Sequence, residues 1–69
     1  MDLTNRQLNI VDIVITHNKV SSSKIRTLLP ESISIPTLNS ELGKLVSYRV
    51  LCQTGKGRTK AYVISPDYK

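Results

Sequence analysis

The feature that most constrains the fold of this chain is a change of apolar spacing at residue 47. Before it, apolar side chains recur at i, i+4, i+7 and i+8, which is the spacing of one buried helical face. These side chains are Leu38, Leu42, Leu45 and Val46. After it, residues 50–54 and 60–64 are rich in strand-forming types and flank the loop 55–59. The chain therefore predicts a helix followed by a β-hairpin.

A capping box marks the start of a first helix. Thr4 and Gln7 stand three residues apart, so a hydroxyl and a side-chain amide can each bond a free backbone N–H of the other residue. The helix is predicted over residues 5–17 and ends at Asn18, because asparagine tolerates the left-handed backbone that stops a helix. Residues 19–20 then leave room only for a very short β-strand.

Serine and proline place two further helices. The serines at 21–23 suit either a flexible linker or a helix N-cap, and apolar residues at helical spacing after them favour the cap. Pro30 disfavours helical geometry at the residue before it, so the second helix is short. Ser34 is a suitable cap for the third helix, with Pro36 in the first turn, where a missing N–H does no harm.

The length of the chain allows one domain. A chain of 69 residues buries only about 60% of its unfolded surface and has no room for a deep substrate pocket beside its core. We expect a single domain over residues 1–69, with an ordered core at about 3–64 and a loosely held tail at 65–69. Ten lysines and arginines against five acids give a net charge of +5, which favours an anionic partner such as nucleic acid.

A single cysteine and the lack of long apolar runs narrow the class further. Cys52 has no second cysteine to pair with, whereas a secreted domain of this size usually needs disulfides or a metal. No run approaches the ~20 apolar residues of a membrane span, so the expected location is the cytoplasm. No set of residues supplies a nucleophile, a base and an oxyanion site. We therefore expect no enzyme, metal, cofactor or small-molecule substrate.

Several segments of the sequence resemble those of a known domain family. Residues 3–7 (LTNRQ) and 34–39 (SIPTLN) resemble the openings of the first helix and of the recognition helix in bacterial winged helix-turn-helix domains. Residues 45–46, 50–51 and 55–58 resemble the helix end, first wing strand and wing turn of the same domains. Such domains occur as free regulators and as C-terminal modules of larger proteins, including Fic-type proteins.

The resemblance implies an α+β fold of the winged helix-turn-helix type. This fold has a three-helix core and a C-terminal two-stranded β-hairpin wing, in the order α-β-α-α-β-β. It also implies sequence-specific binding of double-stranded DNA, with helix three in the major groove and the basic wing on the phosphate backbone. The family usually has glycine where this chain has Arg49. A positive φ at a non-glycine residue there would cost about 1 kcal/mol, unless the turn differs.

The outer side of the third helix is the candidate base-reading surface. With Leu38 as the zero of a helical wheel, four apolar residues lie within about 80° of it. They are Ile35, Leu42, Leu45 and Val46. The remaining side is short-chained and bordered by one lysine, and we expect DNA bases to be faced by Pro36, Thr37, Asn39, Ser40 and Lys44. An ordinary solvated face is the alternative, and Glu41 on the flank would repel phosphate.

Basic residues are concentrated around the predicted hairpin. Between Glu41 and Asp67 the chain has five cations and no acid. Cations at a hairpin tip can lie along a phosphate backbone, although exposed tips are usually polar in any case. The residues we expect to bind phosphate are Lys24, Arg49, Lys56, Arg58 and Lys60.

The first helix carries more apolar residues than one buried face needs. They span about 220° of the wheel, whereas a single buried stripe takes about 100°. Leu8 and Ile15 fall beside Asp12, and an exposed strip of this kind often contacts protein. The strip predicts a homodimer or a contact with a parent domain, unless it belongs to a wide core contact. The second candidate function is therefore a winged-helix docking module that binds protein and not DNA.

Overall fold

The computed structural model describes residues 2–55, 57 and 60–68, so that Lys56 and Arg58 of the predicted phosphate-binding set lie outside the described residues. The elements follow in the order α1 (Asn5–His17), β1 (Lys19–Val20), α2 (Ser22–Leu28), α3 (Ile35–Ser47), β2 (Leu51–Thr54) and β3 (Ala61–Ile64). The described part of the chain therefore has three helices and an antiparallel sheet, which is an α+β fold.

Each helix begins at the cap that the sequence indicates. The backbone N–H of Gln7 donates to Thr4 Oγ1 at 3.1 Å, and that of Thr4 donates to Gln7 Oε1 at 2.9 Å. Ser21 and Ser34 each accept the N–H of the residue three positions later, at 3.2 and 3.3 Å. Leu29 leaves the helical region with ψ at 141°, as expected before proline. The predicted starts of α1, α2 and α3 are confirmed.

The sheet has one strand more than the predicted hairpin. Within the described residues its strands lie in the order β1-β3-β2, with Lys19 of β1 opposite Val63 and Val20 opposite Tyr62. The prediction of a two-stranded wing is therefore wrong in strand number. The short bridge joins the open edge of β3 because this pairing places Val20, which is 5% exposed, beside the equally buried Tyr62.

β2 and β3 form the hairpin that the sequence predicts after the third helix. Their pairing runs from Leu51 opposite Ile64 to Thr54 opposite Ala61. Each strand begins one residue later than predicted. The sequence between the two paired strands, residues 55–60, contains Lys56, Arg58 and Lys60.

One core joins the helices to the sheet. Its most deeply buried side chains, each at most 3% exposed, are Ile10, Val11, Val14, Ile25, Leu38, Leu42, Leu45, Val50 and Leu51. The i, i+4, i+7 stripe of α3 is thereby confirmed as a buried face. Ile35, predicted to belong to it, is instead 57% exposed. It is the first residue of α3 and borders the groove between α2 and α3, outside the core.

α3 ends in a Schellman turn, in which two backbone N–H groups bond carbonyls of the last helical turn. Val50 donates to the carbonyl of Leu45 and Arg49 to that of Val46, both at 3.0 Å. The turn holds Arg49 at φ 64°, in the left-handed region where glycine is favoured. The sequence allowed either a different turn after α3 or a strained, positive φ at Arg49. The structure has the positive φ.

The substitution Arg49→Gly tests this strain. We expect it to raise the free energy of unfolding by about 0.5 kcal/mol, because the ~1 kcal/mol penalty of a Cβ at positive φ exceeds the added chain entropy of glycine in the unfolded state, about 0.5 kcal/mol. Urea denaturation followed by circular dichroism measures the change. Arg49→Ala is the matched control, since it removes the same side chain but keeps the Cβ. An alanine variant as stable as the glycine variant would show that backbone strain is not the cause.

The segment after β3 is held against the body of the domain. Ser65 is 3% exposed, and its N–H donates to the carbonyl of Val50 at 3.0 Å. Tyr68 packs partly buried against the core, and its N–H closes a turn on the carbonyl of Ser65 at 3.1 Å. The prediction of a loosely held tail from residue 65 did not anticipate these contacts, because they join the tail to Val50, 15 positions earlier in the chain.

The helices are short. α1 and α3 have 13 residues each. Among the residues that the structure describes, no helix combines the length and the apolar character that a membrane crossing requires.

Candidate nucleic-acid interface

α3 exposes an arc of short side chains opposite its buried stripe. At about 100° per residue, the five predicted base-facing residues span about 160° of the helix. Thr37 is half-buried, and the other four are exposed: Pro36, Asn39, Ser40 and Lys44. No described element packs over this arc. We call these five residues the α3 arc.

A shallow depression of about 350 Å³ runs along one side of the α3 arc. It groups four of the five predicted residues with two that the sequence did not assign to the interface. Its lining residues are Arg6, Pro36, Thr37, Ser40, Glu41 and Lys44. The structure thereby joins the start of α1 to the outer side of α3.

Asn39 lies on the other side of the arc, in the groove between α2 and α3. It shares this groove with Ser22 and Ser23 of α2 and with the exposed Ile35. Asn39 is therefore separated from the depression that holds Lys44. The α3 arc has a polar amide beside α2 and a cation on the side of α1.

The connection between α2 and α3 is fixed by an arginine. Arg26 Nε donates to the backbone carbonyl of Ile33 at 2.9 Å. The connecting residues Leu29 and Ile33 are each 8% exposed, so the loop is also held by packing. These contacts fix how α3 is presented relative to α2.

Glu41 is a buried carboxylate beneath the arc. The residue is 8% exposed, and its oxygens lie 3.8 Å from Arg6 Nη1 and 3.7 Å from Lys44 Nζ. Gln7 Nε2 donates to Glu41 Oε1 at 3.4 Å. On the sequence alone, Glu41 counted against DNA contact because a free carboxylate repels phosphate. Its place between two cations removes most of that objection.

Arg6 connects α1 to both acids near the arc. Its Nε donates to Glu31 Oε1 at 2.6 Å, across 25 positions of sequence. This hydrogen bond and the charge of Glu31 raise the pKa of Arg6 above its ordinary value. Sequence reasoning assigned Arg6 and Gln7 no role at the interface. The capping box was visible, but its contact with Glu41 exists only in the folded chain.

The described phosphate-binding candidates are spread along the molecule. Lys24 and Lys60 are exposed, and neither forms an ion pair with another described residue. Arg49 Nη1 lies 3.8 Å from Asp67 Oδ2, with 80% of the arginine side chain exposed. Arg49 lies just beyond Ser47, the last residue of α3, which is about 17 Å from Pro36 along the helix axis. It would therefore meet different phosphates from those near the start of the helix.

The two residues predicted to contact protein are both exposed. Leu8 is 47% and Ile15 53% exposed, so neither belongs to a wide core contact. Leu8 lines a depression of about 790 Å³ with Tyr48, itself 41% exposed, and with Arg49. Ile15 lies two turns further along α1, about 10 Å away.

The described residues contain no group of three or more histidine, cysteine or acidic side chains that could hold a metal ion. The chain matches no protein-family model, and no curated protein matches it at a significant level. Function is therefore inferred from the geometry around α3.

Proposed function

We propose that this protein is a winged-helix domain that binds double-stranded DNA sequence-specifically, as a transcriptional regulator or DNA-targeting module of the cytoplasm. α3 enters the major groove, and the β2–β3 hairpin lies along the phosphate backbone. The observation that carries the proposal is the uncovered α3 arc. A helix with one side buried and short hydrogen-bonding side chains on the other fits a groove about 12 Å wide.

The side chains of the arc suit contact with base edges. The Asn39 amide can bond adenine through both its donor and its acceptor, and Lys44 can donate to guanine. The hydroxyl groups of Thr37 and Ser40 can donate or accept. Each such contact favours one base over another, which supports sequence-specific rather than uniform binding.

The charges around the α3 arc support an anionic partner. Glu41 lies within 4 Å of both Arg6 and Lys44, so this acid is partly neutralised in the folded protein. Two basic residues of the hairpin connection, Lys56 and Arg58, stand in a stretch of sequence without acids. Such a cluster of cations can neutralise backbone phosphates and release their counterions.

The proposal predicts strongly salt-dependent binding to DNA. If about five phosphates are neutralised, the logarithm of the association constant should fall with the logarithm of salt concentration at a slope near −4 to −5. Fluorescence anisotropy of a labelled random-sequence duplex, followed across a salt titration, measures this slope. Selection of preferred duplexes from the same pool then identifies the sequence preference. An affinity that does not change with salt, or no binding at low salt, would contradict the proposal.

The exposed Leu8 and Ile15 favour a second candidate, a docking module that contacts protein and not DNA. On this alternative, the strip on α1 packs against a second copy or a parent domain. Sedimentation across a concentration series tests whether the strip packs against a second copy of the chain. A strict monomer at high concentration excludes the homodimer, and DNA binding with the salt dependence above excludes a docking module that binds no DNA.

A further inference from the structure

The depression beside α3 places Arg6 next to the base-facing side chains of the α3 arc. It brings together the guanidinium of Arg6, the ammonium of Lys44 and the hydroxyl groups of Thr37 and Ser40. Ser34 Oγ donates to Thr37 Oγ1 at 2.8 Å, which leaves the hydroxyl hydrogen of Thr37 free to donate to DNA. Because Thr37, Ser40 and Lys44 face the bases in the proposed complex, Arg6 at the edge of the depression is the group available to the adjacent phosphate.

The two acids that contact Arg6 differ in burial and in the number of their polar partners. Glu41 is buried, lies within 4 Å of two cations and accepts a hydrogen bond from Gln7. Glu31 lies in the connection between α2 and α3, and its side chain is 47% exposed. Within the described residues, Arg6 is its ion-pair partner, at 2.6 Å. Glu41 is therefore a fixed part of the depression, whereas Glu31 can be displaced.

We infer that Arg6 is a phosphate-binding residue of the DNA interface and that Glu31 occupies it in the free protein as an internal competitor. This inference rests on the proposed function. Guanidinium groups bond carboxylate and phosphate oxygens with the same planar geometry, so a phosphodiester can take the place of the carboxylate. Arg6 is 36% exposed at its side chain, which leaves its guanidinium accessible from the depression. Glu31 therefore lowers the affinity for DNA without contacting it in the complex.

The first experiment removes the competitor. Glu31→Gln keeps the shape of the side chain and removes its charge, and we expect the affinity for a random duplex to rise about fivefold, the size of an exposed ion pair. Asp12→Asn is the matched control, because it changes the net charge equally from an exposed position on α1 that forms no ion pair with another described residue. We expect less than about a twofold change from this control, since it acts only through the screened overall field.

The second experiment asks whether the gain passes through Arg6. In the Arg6→Gln background, Glu31→Gln should give no more gain than Asp12→Asn. Comparison of Glu31→Gln with the double variant should also show a salt slope smaller by about 0.9, the loss of one phosphate contact. Thermal unfolding of each variant confirms that the domain remains folded at the temperature of the binding assay.

The outcomes separate the inference from the proposed function. A gain for Glu31→Gln no larger than for Asp12→Asn overturns the inference, and so does a gain that survives in the Arg6→Gln background. In both cases the salt-dependent binding of the unmodified protein leaves the proposed function standing. If neither the unmodified protein nor Glu31→Gln binds the duplex at low salt, the proposed function and the inference both fail.

Discussion

Replacing Leu42 with alanine is expected to lower the free energy of unfolding by about 3 kcal/mol. Leu42 is fully buried in the middle of α3, so truncation removes its apolar contacts and leaves a cavity. A core this small rarely supplies more than about 3–5 kcal/mol of net stability. The variant should therefore retain about 0–2 kcal/mol, which leaves roughly 3–50% of it unfolded at room temperature. Urea denaturation followed by circular dichroism measures the loss.

A position on the same helix provides the control for this loss. Ile35→Ala removes a similar volume, but Ile35 is 57% exposed, so we expect less than about 1 kcal/mol of destabilisation. Because α3 presents the candidate interface, Leu42→Ala should also lose DNA binding in proportion to its unfolded fraction. Equal losses of stability for the two variants would mean that α3 does not bury the stripe as described.

Replacing Lys56 and Arg58 together with alanine is expected to weaken DNA binding about 60-fold at tenth-molar salt. Each phosphate contact contributes about 0.9 to the slope of log affinity against log salt concentration. Two contacts therefore raise the association constant by a factor of about 60 when the salt concentration falls from 1 M to 0.1 M, and the double variant loses this factor. The salt slope should become shallower by about 1.8 for the same reason. Anisotropy titrations with duplexes of different sequence should show the same loss for all of them, because phosphate contacts carry no base information.

Two controls locate the effect at the hairpin connection and distinguish it from base contact. Lys19→Ala removes one exposed cation from β1, and we expect a much smaller change than for either single hairpin variant. Ser40→Ala keeps all charges and should alter the order of preferred sequences with little change in salt slope. If the double variant changed affinity for one sequence only, or if Lys19→Ala had the same effect as Lys56→Ala, the hairpin would not be the phosphate-binding element.

Prediction from sequence succeeds where the deciding contacts are local. The capping box at Thr4 and the serine caps set the helix starts, and Pro30 sets the end of α2. Each acts within three or four residues, without reference to the rest of the chain. The buried stripe of α3 follows from helical periodicity in the same way. Ile35 shows the limit of periodicity, because the wheel gives its direction but not whether the core extends to the end of the helix.

The candidate site is only partly predictable. The residues of the α3 arc follow from the outer side of one helix, and the structure leaves all of them exposed except the half-buried Thr37. Their separation into an Asn39 side facing α2 and a Lys44 side facing α1 depends on how the helices pack. The contacts of Arg6 and Gln7 with distant acids likewise require the folded chain, since no local pattern encodes a pair 25 or 34 positions apart.

The sequence by itself determined the helices, the basic hairpin segment and the short-chained outer side of α3, because capping, proline geometry and side-chain periodicity act over a few residues. Tertiary structure alone decided the pairing of β1 with β3, the buried Glu41 and the Arg6–Glu31 pair. Each of these depends on segments that are far apart in the chain. Their free energy is gained only after the core has brought those segments together.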